Sequence, residues 1–258
     1  MRQNIIPIMP IVENPTKVRV AAYYQKTYTP RPSDYNRYGR LSYEAILQIL
    51  ESAGSDHSAM AGDSLADANK NGIAWILTEW RVKILRRPEN GESFRITTWV
   101  RGRAPASAVY RDFVLTDRNG AEVIRAEAKF ALFDLATSRL TRISEDLFAS
   151  YQLEEKTVFE DVQRLRAPSE YTLETEVSLR RSDIDFNGHV HNTRYVDLAL
   201  EALPKDFFEN DSVSEIRVSY MKPITEDNKV TLNYVHSGNG ENIAIHANGA
   251  HCCLVVFQ

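Results

Sequence analysis

Between Asp183 and Asn192 the chain reads DIDFNGHVHN, and these ten residues hold two carboxylates, two amides and two imidazoles. Asp185, Asn187 and His189 alternate, so an extended segment points them the same way. The residues that follow, TRYVDLALEAL, carry a helical pattern. The first turn of a helix presents unbonded N–H groups and the positive end of its dipole. A carboxylate beside an imidazole activates water, and an electropositive helix tip holds the charge that develops on a carbonyl oxygen. Such a set of parts suits hydrolysis of an activated acyl group. Asp, Asn and Ser are also the ordinary helix caps. Capping therefore accounts for Asp183 or Asn187 equally well, and a single His near a helix start is commonly a hydrogen-bonded structural residue.

The elements that must hold this cluster occur twice along the chain. In the first half LSYEAILQILESAG predicts a helix whose apolar side is Ile46, Leu47, Ile49, Leu50 and Ala53, with Gly54 as its stop. TEWRVKIL and SFRITTWV alternate as strands, and AVYRDFVLTDRNGAEVIRAEAKFALFD is a hairpin turned at RNG. VRVAAYYQKTY is an apolar, Tyr-rich run ahead of the Pro-containing break TPRPSD. The second half repeats this order. LETEVSLR alternates, the helix TRYVDLALEAL is ended by Pro204, and EIRVSYM, KVTLNYV, IAIHA and CCLVVF are strands. Arg81-Val82 and Arg217-Val218 lie 136 positions apart, and DYNRYG aligns with DFNGHV at an offset of 151. An internal duplication is the simplest account. On that alignment the first copy has Tyr38 where His189 stands, a divergence that points to the second copy for the chemistry without deciding it. Residues 144–170 are too polar for a core strand and read as a partly helical surface connector between halves at 1–143 and 171–258. The expected architecture is α+β, a sheet curled round one helix in each half.

Composition narrows the function. The chain has 258 residues, 43% apolar and 26% charged, with a net charge of −4, so no global basic field argues for nucleic acid. No apolar run approaches the ~20 residues of a membrane span, and the N-terminus lacks the apolar core of a signal peptide. Cys252 and Cys253 are adjacent. They have no metal-ligand spacing and rarely pair with each other, so a reducing, cytoplasmic setting and a packing role are expected. No metal and no cofactor is implied.

SDIDFNGHVHNTRYVDLALEAL resembles the signature of the acyl-acyl-carrier-protein thioesterases, a D-x-N-x-H-V-x-N run leading into a helix. The resemblance extends over nearly the whole chain, including YTPRPSDYNRYGRLS and EWRVKILRRPENGE. It implies a tandem (double) hotdog, each half a central helix wrapped by an antiparallel sheet, with acyl-chain binding in the N-terminal half. It implies Asp185, Asn187 and His189 as the catalytic set, supported by Asn192 and Tyr195. The partner it implies is acyl carrier protein with its phosphopantetheine-linked acyl chain. That carrier is acidic, and Arg180, Arg181 and Arg194 flank the catalytic stretch as candidates to bind it; Arg86, Arg87, Arg101 and Arg103 are others. Ile46, Leu50, Trp80 and Phe94 are candidates for the acyl slot, although core packing explains each of them too. Plant members carry a Glu-Cys pair after the Tyr of the following strand, where this chain has Pro223 and Ile224. Neither residue is a base or a nucleophile, which favours water activated by Asp185 and leaves an acyl-aspartyl route open. Backbone N–H groups at the helix start would take the thioester oxygen. The rival readings are an acyl-CoA thioesterase, a hotdog hydratase and a non-catalytic acyl-binding sensor. A homodimer is left open.

Overall fold

A computed structural model describes residues 22–102, 108–161, 164–205, 207–210, 212–238 and 240–258. Arg103 and the first residues of the Tyr-rich run lie outside them. Eleven strands form one antiparallel sheet: β1 Tyr23–Tyr28, β2 Ile73–Ile84, β3 Phe94–Val100, β4 Val109–Thr116, β5 Glu122–Asp134, β6 Arg139–Thr141, β7 Leu173–Val177, β8 Glu215–Tyr220, β9 Val230–Ser237, β10 Gly240–Ala247 and β11 Ala250–Phe257. The helices are α1 Tyr43–Met60, α2 Leu65–Lys70, α3 Arg194–Leu200 and α4 Phe207–Asn210.

The sheet order is β1-β3-β4-β5-β2-β8-β11-β10-β9-β7, with β6 beside β5. Each half therefore has the same order, and the halves meet at β2 and β8. There Trp80 pairs Val218, Arg81 pairs Arg217 and Val82 pairs Ile216. Arg81 and Arg217 are the duplicated pair, so a pseudo-twofold axis passes between them. The two curled sheets were expected to join side by side, and the ladder across this seam joins them. The main apolar core runs through both halves, from Ile46 and Leu50 on α1 to Val196 and Ala199 on α3.

Helix α1 begins where expected. The Ser42 hydroxyl accepts the Ala45 N–H at 3.1 Å, and the predicted apolar side is buried. It does not stop at Gly54. A Cβ at Gly54 would lie 3.2 Å from Cδ of Arg111 and 3.5 Å from the Phe113 ring, so this glycine admits a side chain from the sheet rather than ending the helix. In the second half the predicted helix is shorter than its pattern. It closes at Leu200, and Glu201–Leu203 form turns before Pro204.

The connector is extended more than helical, with one short 3-10 turn at Glu145–Phe148. It clips to the end of β3, where Gly102 N–H donates to Glu154 O at 2.7 Å and Glu154 N–H donates to Val100 O at 3.0 Å. The Trp99 indole donates to Lys156 O at 2.8 Å. The side chain of Tyr151 is buried, which the polar composition of the segment did not suggest.

Candidate active site

The cluster from Asp183 to Asn192 folds as a tight hairpin rather than a straight strand. The Asp183 carboxylate accepts the Arg180 N–H at 2.8 Å and closes a 3-10 turn over Arg181–Asp183. Ile184 then bridges Val190. Between them Asp185 Oδ1 accepts the N–H groups of Asn187 at 2.8 Å and His189 at 3.2 Å. Gly188 sits at φ +77°, the left-handed region that favours glycine. Oδ2 receives only the Asn187 side-chain amide, at 3.4 Å. Asp185 is thus fixed by its backbone bonds with one oxygen largely uncommitted.

The first copy builds the same hairpin, which corrects the alignment of the halves. Asp34 accepts the Arg31 N–H, Tyr35 bridges Leu41, and Asn36 Oδ1 accepts the N–H groups of Tyr38 and Arg40. Asp34 therefore matches Asp183, an offset of 149 rather than 151. Asn36 stands where Asp185 does, Tyr38 where Asn187 does and Arg40 where His189 does. The first hairpin keeps the turn and lacks the carboxylate that Asp185 brings to the second. The span from hairpin to strands is longer in the first half because α1 runs 18 residues and α2 follows it, against seven in α3.

A cleft of about 600 Å³ opens beside the second hairpin and runs along α1 into the N-terminal half. Asp185, Phe186, Asn187, His191 and Asn192 line one end. Its walls are Trp75, Leu77 and Trp80 of β2, Val109 and Phe113 of β4, Phe130 of β5, and Phe148 and Tyr151 of the connector. Of the residues expected to form the acyl slot only Trp80 lines it; Ile46, Leu50 and Phe94 are core. The floor is a row on α1, Glu51, Gly54, Ser55 and Ser58, at helical spacing beside the apolar stripe. That row of small and polar residues was visible in the sequence and not singled out.

Asp185, Asn187 and Asn192 thus share the cleft, and His189 does not line it. The His189 peptide bridges Thr225, while Val190 N–H donates to Ile224 O at 2.8 Å. The imidazole at the cleft is His191, with Nε2 3.8 Å from Glu51 Oε1. The Thr193 N–H reaches His191 Nδ1 at 3.4 Å, and Thr193 Oγ1 lies 3.1 Å from it. Nδ1 is then an acceptor, and Nε2 carries the proton that faces the carboxylate. Burial raises Glu51 above the ordinary carboxylate range; His191 opposes this and the Asp185 charge adds to it. Sequence reasoning missed Glu51 because it comes from the other half of the chain.

Of the two supporting residues, Asn192 lines the cleft and Tyr195 packs behind it. Tyr195 is buried, its hydroxyl accepts the Ile224 N–H at 3.1 Å, and its ring meets Tyr220 edge-on. Tyr220 donates to Asn192 O at 2.8 Å. The first turn of α3 is less open than expected. Arg194 N–H donates to His191 O at 2.9 Å and Val196 N–H to Thr193 O at 3.3 Å. The amides of Asn187 and Asn192 are therefore the better-placed donors at the cleft. Arg194 pairs with Glu44 of α1 at 2.9 Å and Asp197 at 3.4 Å. Arg180 and Arg181 are exposed, with no side-chain ion pair among the described residues. Cys252 and Cys253 are free and buried, and burial pushes both thiols up. Ile224 is fully buried.

Two profiles of known families cover most of the chain. Residues 21–151 match the acyl-ACP thioesterase N-terminal domain and residues 166–253 the acyl-ACP thioesterase C-terminal domain. The chain is 24% identical over 226 residues to oleoyl-acyl carrier protein thioesterase 1, chloroplastic, of Arabidopsis thaliana, covering 80% of this chain and 62% of that protein. It is 23% identical over 233 residues to the chloroplastic dodecanoyl-[acyl-carrier-protein] hydrolase of Cinnamomum camphora, covering 84% and 61%. The chain thus spans about three-fifths of the length of these two curated relatives. Among solved structures it superposes on an acyl-ACP thioesterase from Bacteroides thetaiotaomicron with a TM-score of 0.81 at 20% identity, covering 92% of this chain and 98% of that one. On the 12:0-ACP thioesterase from Umbellularia californica the TM-score is 0.79 at 20% identity, covering 93% and 97%. These likenesses identify the fold as a double hotdog, and with both domain profiles matched in order the chain belongs to the acyl-ACP thioesterase family.

Proposed function

We propose that the protein hydrolyses the thioester of fatty acyl-acyl-carrier protein, releasing free fatty acid and the carrier thiol. The observation that carries this reading is the cleft itself. One end holds Asp185, Asn187, His191 and Asn192, and the remainder is walled by aromatic and aliphatic side chains. A pantetheine arm entering at the polar end lays its acyl chain against those walls, in the N-terminal half. On this reading residues 1–143 bind the chain, 171–258 supply the chemistry and 144–170 connect them.

In the reaction a water attacks the thioester carbonyl carbon. The Asn187 and Asn192 amides hold the oxygen that becomes negative. Asp185, whose Oδ2 receives only the long bond from the Asn187 amide among the described residues, takes the proton of the water. The Glu51–His191 pair faces the same space, and its raised carboxylate is better matched to proton transfer near neutral pH than an ordinary one. The tetrahedral intermediate collapses by breaking the C–S bond, and the leaving sulfur takes up the proton. His189 holds the hairpin through its backbone and acts from outside the cleft.

Arg180 and Arg181 are proposed to meet the acidic carrier, whereas Arg194 is held within the protein by its carboxylate partners. Two free, buried thiols suit a reducing, cytoplasmic setting. The test is release of free fatty acid from acyl-carrier-protein substrates of varied chain length, with acyl-CoA in parallel. Faster turnover on the carrier-bound chain, falling as salt rises past roughly 0.15 M, where the Debye length is ~8 Å, is the expected result. No hydrolysis of any of them overturns the reading, and preference for acyl-CoA redirects it.

A further inference from the structure

Deep in the cleft the apolar lining gives way to a polar cluster that the hydrolysis does not use. Arg111 on β4 is buried, yet it lines the cleft together with Ser58, Asp63 and Tyr151. Its guanidinium is 2.9 Å from His57 Nδ1 and donates to Ser58 Oγ at 3.0 Å. The Tyr151 hydroxyl lies 3.0 Å from both Ser58 Oγ and Asp63 Oδ2, and the Trp75 indole donates to Asp63 Oδ1 at 3.1 Å. Burial disfavours the charged form of Arg111, against the opposing pull of Tyr151 and the Asp63 carboxylate. Gly54 of α1 leaves the space that the arginine stem occupies.

A purely aliphatic chain has no use for such a wall. Its methyl end would set hydrocarbon instead of water against a charged and polar surface, which costs free energy. From Glu51 at the reacting end to Ser58 is seven residues of α1, about 10 Å at ~1.5 Å per residue. An extended alkyl chain advances ~1.3 Å per carbon, so the polar cluster lies about eight carbons from the thioester.

We propose that this cluster is a recognition site for an oxygen function, hydroxyl or carboxylate, carried about eight carbons along the acyl chain, with Arg111 and Ser58 as its donors. The proposal builds on the thioesterase reading and narrows the substrate to oxygenated medium-length chains. A hydrogen bond to a charged donor contributes about 1.5–3 kcal/mol, roughly a 10- to 100-fold preference.

The experiment compares pantetheine thioesters of octanoate, 8-hydroxyoctanoate and octanedioate on the wild-type protein and on Arg111→Met and Ser58→Ala. Calorimetry measures binding of the three free acids in parallel. At least one oxygenated thioester should exceed octanoyl in kcat/KM by about tenfold or more, and the variants should shrink that ratio. The two oxygenated arms tell a hydroxyl from a carboxylate. Turnover of octanoyl as fast as both oxygenated chains, with a ratio unmoved in Ser58→Ala, overturns the proposal and leaves the hydrolase reading standing. Selective binding of an oxygenated acid with no turnover of any thioester supports the site and sinks the hydrolase reading instead.

Discussion

Asp185 and Asn36 are the same residue of the same turn, one charged and one not. Each accepts two backbone N–H groups through Oδ1. The first copy thus shows that an amide satisfies the hairpin. Asp185→Asn should leave the melting temperature within a few degrees of wild type while lowering kcat about 10²–10⁴-fold, the range for loss of a general base. Thermal melts and single-substrate kinetics on one preparation check both halves of that statement. Glu51 makes a separate prediction. Its pKa is raised by burial, so a base function is lost on acidification at a pH above the ordinary carboxylate value. The acidic limb of the kcat/KM profile should lie there, and Glu51→Gln should remove that limb or the activity with it. A limb unchanged in Glu51→Gln would confine the proton chemistry to Asp185.

At the scale of elements, α1 and α3 are joined by charge as well as by packing. Arg194 lies between Glu44 and Asp197. Burial, followed by a hydrogen bond with Glu44, pushes the Asp197 carboxyl up to about 7. A group raised on folding contributes stability that is complete below its unfolded pKa and lost as pH rises through the folded one. The urea midpoint should therefore decline as pH rises from about 4 to about 7, and Asp197→Asn should flatten that decline. Tyr195 ties α3 to the loop under the hairpin. Tyr195→Phe leaves the buried Ile224 N–H without its acceptor and should cost about 1–3 kcal/mol in chemical denaturation. Because Ile224 O in turn holds Val190, the same change should lower kcat through the position of Asp185.

For the whole molecule the seam at β2 and β8 decides how the halves behave. Val82, Ile216 and Val218 are almost completely buried there, within a core common to both halves. Ile216→Ala should cost about 2–5 kcal/mol. The protein should also unfold in one transition rather than half by half. All three tryptophans, Trp75, Trp80 and Trp99, stand in the first half. Tryptophan fluorescence reports that half and far-ultraviolet circular dichroism reports the whole, so coincident curves are expected. Separated curves would show that the halves are independent domains.

Much of this was legible in the residues taken alone. Alternation marked the strands, the apolar stripe from Ile46 to Ala53 marked α1, and the repeated Arg-Val pair located the two residues on the pseudo-twofold axis. These are local patterns, set by the period of a strand or a helix and by the chemistry of a turn. The crowded stretch from Asp183 to Asn192 also stood out, and Asp185 and Asn187 do line the cleft. Strict alternation then misled, because a left-handed glycine at 188 turns the chain and puts His191 at the cleft in place of His189. The end of α1 misled as well, since Gly54 answers to an arginine 57 positions away. Glu51 and Arg111 acquire their meaning only from contacts between distant segments. The sequence by itself determined two hotdogs and a crowded polar stretch ahead of the second helix. Tertiary structure alone decided which imidazole, which carboxylate and which buried cation share one cavity, because burial and distance between residues far apart in the chain exist only once the halves have closed on each other.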